Sequence, residues 1–135
     1  MKKIIALALV VVMLLALVSC GISRKADKLE DALEKKYGDD VSVTATKSEL
    51  AIAALAAAFD IGVDAEDIEV VLTITLKGEG SGYVIYCKDG KTARTVKADC
   101  KDFVEDHDED DILVKKNGKT IFVGEEDLWK KIKGV

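Results

Sequence analysis

The hydrophobic positions of this chain change rhythm several times, and each change marks an expected element. Residues 4–18 carry neither a charge nor a polar side chain, and Lys2 and Lys3 precede them. Spanning the hydrocarbon of a bilayer takes about 20 apolar residues, so this run is short for that purpose. It has the basic start and brief apolar core of an export signal instead. Ile22, Ala26, Leu29, Leu33 and Tyr37 then recur at helical spacing on one face. Ser23 is a suitable N-cap and Gly38 a suitable stop for that helix.

From residue 41 the period becomes two. Val41, Val43 and Ala45 alternate with Ser42, Thr44 and Thr46, which predicts a short strand. Thr46 and Glu49 have the spacing of a capping box ahead of residues 50–59, which are all apolar and rich in alanine. A helix without a polar face is expected to be buried. Ile68, Val70, Leu72, Ile74 and Leu76 mark one face of a long strand, and a glycine-rich connection leads from it to a strand over residues 83–88. Asp89-Gly90 predicts a tight hairpin into a further strand over residues 92–98. A second hairpin is expected from residues 112–115 to 120–123 around Asn117-Gly118, and residues 125–133 form a closing amphipathic helix. The acidic start and basic end of that helix suit its dipole.

These elements predict an α+β fold: an N-terminal helix, a buried Ala-rich helix, an antiparallel β-meander and a C-terminal helix. The order resembles cystatin-like and related small α+β folds. The matching division of the chain is a signal peptide over residues 1–19, an anchored tether over 20–22 and a single domain over 23–135.

Leu17-Val18-Ser19-Cys20 resembles the lipobox of bacterial lipoproteins, a likeness confined to residues 1–21. The resemblance implies cleavage between Ser19 and Cys20, a diacylglyceryl group on the Cys20 thiol and N-acylation of the new amino terminus. Gly21 is not the aspartate that retains some lipoproteins at an inner membrane. Two or three acyl chains hold far more firmly than one, at about 0.8 kcal/mol per buried methylene. The expected location is therefore the outer face of a bacterial cytoplasmic membrane, or an outer membrane, reached through lipid.

Composition narrows the rest. The formal charge is −5, and losing Lys2 and Lys3 would make the remainder more acidic, which argues against a nucleic-acid partner. Residues 105–111 crowd six carboxylates around the chain's one histidine. Asp106, Asp108 and Asp110 match the first three ligands of a calcium loop, but Asp111 replaces its glycine and Asn117 its closing glutamate. A solvated acidic loop is the alternative to calcium. Cys87 and Cys100 form an even pair once Cys20 is acylated, and a disulfide could join them in an oxidising location. A straight strand beyond the hairpin would carry Cys100 about 26 Å from its partner, so the bridge needs the chain to turn back. A cysteine nucleophile, Cys87 or Cys100, with His107 as base has nothing to mark it as activated. Gly90-Lys91-Thr92 and Gly118-Lys119-Thr120 look like the end of a phosphate loop, but Ile85 and Leu113 stand where its first glycine belongs, and strands are expected to follow.

The functional expectation is a non-catalytic lipoprotein that binds a protein, peptide or envelope component, with no resident cofactor besides the Cys20 lipid. A surface inhibitor or immunity-type protein is the first alternative, although the glutamine of a cystatin-like inhibitory loop is absent. A small metal-dependent envelope enzyme is the second.

Overall fold

The structure, a computed structural model, describes residues 25–107 and 111–133. Its elements in chain order are α1 (Ala26–Tyr37), β1 (Val41–Thr46), α2 (Glu49–Ala58), β2 (Ile68–Leu76), β3 (Gly80–Cys87), α3 (Gly90–Asp106), β4 (Ile112–Asn117), β5 (Thr120–Glu125) and α4 (Glu126–Ile132). The strands form one sheet in the order β1-β2-β3-β5-β4, and every neighbouring pair is antiparallel. The expected α+β class is therefore what the chain adopts, with the N-terminal and C-terminal helices in place. Two hairpins make up most of the sheet, but α3 carries the chain past β5 to the far edge, so the strand order is not a simple meander.

Helices cover both faces of the sheet. On one, Leu29 and Leu33 of α1 and Leu128, Trp129 and Ile132 of α4 pack on Leu72, Ile74, Val84, Tyr86 and Phe122. On the other, Ile52 and Ala56 of α2 and Ala93, Val96 and Cys100 of α3 pack on Val71, Ile85, Ile121 and Val123. β2, β3 and β5 each serve both layers by ordinary alternation, and in β2 the register also slips by one residue between Ile68 and Val70. That bulge at Glu69 turns Ile68 toward α2 and α3, while Val70 begins the row that faces α1.

Four expectations fail here, each for a physical reason. The strand expected over residues 92–98 is the first half of α3. Asp89 is its N-cap: the Asp89 carboxylate accepts from the Thr92 N–H at 2.8 Å. Ala93, Val96, Cys100 and Phe103 then recur at spacings of 3, 4 and 3, a helical row that outweighs the Asp-Gly turn signal. The Ala-rich helix is not buried. Only Ile52 and Ala56 of α2 are enclosed, and Leu50 is 83% exposed. Its alanines reflect helix propensity, and so small a side chain costs little when solvated. Its cap is Ser48, whose hydroxyl accepts from the Ala51 N–H at 3.4 Å, rather than Thr46. Finally, the second hairpin turns on Gly118-Lys119, with Asn117 paired to Thr120. Gly118 has φ +66° while Lys119 does not enter that region, as a type II′ turn requires.

Candidate binding site

At the end of the sheet where β3 and β4 begin, Phe59 just past α2 and Phe103 and Val104 of α3 border a cleft of about 260 Å³. Its wall is aromatic. The Phe59 ring meets Tyr83 edge-on at 5.2 Å and Phe103 edge-on at 5.3 Å. Phe103 in turn stacks on His107 at 4.1 Å, and the His107 ring Nδ1 lies 2.9 Å from the Phe103 carbonyl oxygen. Val104 and Ile112 complete the apolar lining, and Glu125 stands at the rim, where its carboxylate accepts from the Ser81 N–H at 2.9 Å.

The cleft opens onto hydroxyl rows. Cross-strand register aligns Ser42, Thr75 and Ser81, and beside them Thr44, Thr73 and Tyr83. Thr75 and Ser81 are within hydrogen-bond distance at 3.3 Å. The surface thus combines an apolar slot with a polar apron. Its volume lies below the roughly 300–1,000 Å³ of small-molecule pockets, so it suits one inserted group better than an enclosed ligand.

The site residues expected from sequence are dispersed. Cys20, the lipid site, lies outside the described residues, as do Asp108 and Asp110 of the acidic loop. Asp106 ends α3 on the surface, and no group of three metal-ligating side chains occurs among the described residues. Cys87 and Cys100 are free, buried thiols in one core layer and not joined in a disulfide. The return of the chain in α3 brings them into the same layer, which a straight strand would not have done. Burial pushes both thiols up to about 12, with Asp89 and Glu69 adding to the effect at Cys87 and Asp99 at Cys100. His107 is no partner for Cys87: it stands at the far end of α3, whose 17 residues span about 25 Å.

One phosphate-loop fragment does precede a helix, contrary to expectation: Gly90-Lys91-Thr92 opens α3. It remains unsuited to an anion, because Asp89 already occupies that helix end. The Thr92 N–H bond holds the Asp89 carboxyl below its usual range, with help from Lys91. Among the other aromatic side chains, Tyr83 lines the cleft whereas Tyr86 and Trp129 belong to the core. Phe59 and Phe103 were missed, and the row through Ala93, Val96 and Cys100 was the signal that reached Phe103. Among the described residues no helix is long and apolar enough to cross a membrane. Comparison with protein-family models, with curated proteins and with solved structures gives no match.

Proposed function

We propose that the protein is a lipid-anchored, non-catalytic binding module of the bacterial envelope, held at the outer face of a cell membrane by acylated Cys20. The observation that supports this most is the direction of α1. Its first residue, Ala26, comes six positions after Cys20, and its last leads into β1 at the end of the sheet that carries the aromatic cleft. Six residues reach about 20 Å at most. An anchor at Cys20 would therefore hold the Lys25 end close to the bilayer and turn the cleft outward. A protruding side chain of an envelope protein or peptide fits such a slot, with the hydroxyl rows meeting the surrounding polar backbone.

The inhibitor or immunity-type alternative draws on the same outward end, where Asp39, Asp40, Asp111, Glu126 and Asp127 gather at the strand ends. A cationic partner would suit it. Labelling with an alkyne fatty acid, followed by photo-crosslinking from position 104 in membranes, tests the proposal. Wild type carries label and Cys20→Ala does not. Continued labelling of Cys20→Ala, or native protein intact in the cytosol with residues 1–19 attached, overturns the anchor. A partner captured equally from position 104 and from exposed Lys101 overturns the cleft.

A further inference from the structure

We infer that a second cleft, at the end of the sheet nearest Cys20, binds a phosphate-bearing anion. It measures about 720 Å³ and lies over the start of β2 and the end of β3. Three separate segments bring lysines to it: Lys25 and Lys28 from the start of α1, Lys47 from the loop after β1, and Lys119 from the turn between β4 and β5. Two carboxylates, Asp27 and Glu69, also line it, so the cationic side chains are in excess. Lys130 pairs with Glu126 and Lys131 with Glu79, both away from this cleft.

Ammonium groups that outnumber the carboxylates around one cavity repel one another, and an anion held among them relieves that repulsion. A phosphate ester suits the geometry because one compact group offers several oxygens to donors arriving from different directions. The start of α1 adds to the same field, since no side chain caps it. The volume exceeds a bare ion, and Val70 with the buried Tyr86 ring provides an apolar wall for the organic part of an ester. Both a free phosphate and an anionic lipid headgroup carry this chemistry. The cleft itself does not depend on acylation; only the lipid as its source rests on the anchor proposed above.

The test uses the full chain purified in neutral detergent, with the acetylation rate of each lysine read by mass spectrometry. The probes are inorganic phosphate, micelles doped with phosphatidylglycerol, and micelles doped with zwitterionic phosphatidylcholine. At ten times the dissociation constant the free cleft falls about tenfold, so Lys28, Lys47 and Lys119 should slow by up to that factor. Exposed Lys35, Lys36 and Lys101 should keep their rates. Selective slowing by phosphate and phosphatidylglycerol alike supports a general phosphate site, and slowing by phosphatidylglycerol alone supports a headgroup site. Uniform slowing, or none with either anion, overturns the inference. In the K47S/K119S variant, protection of Lys28 should disappear while the melting temperature is unchanged, because both side chains are exposed; persistent protection of Lys28 also overturns it. The intact mass reports acylation separately, so failure of the anchor and failure of the cleft are read apart.

Discussion

Gly124→Ala is a sharp probe of how the centre of the sheet is built. Gly124 pairs with Gly82 across β5 and β3. A Cβ on Gly124 would lie 2.5 Å from the Gly82 Cα, 2.8 Å from the Phe122 ring and 2.9 Å from the Ser81 carbonyl oxygen. Two of these are backbone atoms, so no rotamer change can clear them. Reaching an ordinary contact of 3.4 Å requires the strands to part by nearly 1 Å, against a core that resists such displacement. Overpacking of this kind costs about 1–3 kcal/mol. At about 4–8 °C per kcal/mol for a domain near this size, the expected fall in Tm is roughly 5–20 °C. Thermal unfolding followed by circular dichroism in detergent measures it. A change under about 1 °C would mean that the Gly82–Gly124 pairing is wrong, and with it the register that forms the floor of the aromatic cleft.

The two kinds of position on α2 should separate cleanly: Ile52→Ala costs about 2–5 kcal/mol in denaturant unfolding, whereas Leu50→Ala leaves the midpoint unmoved. Asp89→Asn should lower Tm at neutral pH and flatten the acid limb of stability. The folded-state carboxyl is depressed, so its contribution is present above the unfolded value near pH 4 and is lost as pH falls through the lower folded value. Cys87 and Cys100 should resist iodoacetamide until the chain unfolds, and one disulfide per chain by mass would contradict their free state. Because both thiols are raised to about 12, stability should decline as pH rises above about 9, where the unfolded thiols ionise first. Millimolar calcium should leave the melting midpoint unchanged if residues 105–111 are only a solvated loop; a rise would assign Asp106, Asp108 and Asp110 as ligands.

Period-two alternation located β1 and β2, and the period of 3.6 located α1, because each rhythm reports a face pressed against a partner. It was less informative where the local signal was shared. Asp-Gly serves equally as a turn and as a helix cap, and at Asp89 only the row Ala93, Val96, Cys100 distinguishes the two. Alanine is similarly ambiguous: α2 has no polar residue between Leu50 and Ala58, yet most of it meets water. The aromatic slot was illegible in advance because Phe59, Tyr83 and Phe103 come from a helix end, a strand and another helix. Only the crossing of α3 unites them. The lysine cleft is likewise assembled from positions too far apart in sequence to read as a pattern.

The strands at the middle of the sheet tie the fate of one half of the molecule to that of the other. Because β2, β3 and β5 are each rooted in both apolar layers, neither stack of helices can peel away and leave its neighbour standing. Melting should therefore be abrupt, with coincident loss of signal from Trp129 on one side and Phe59 on the other. Such a molecule would offer a protease few half-open forms to cut.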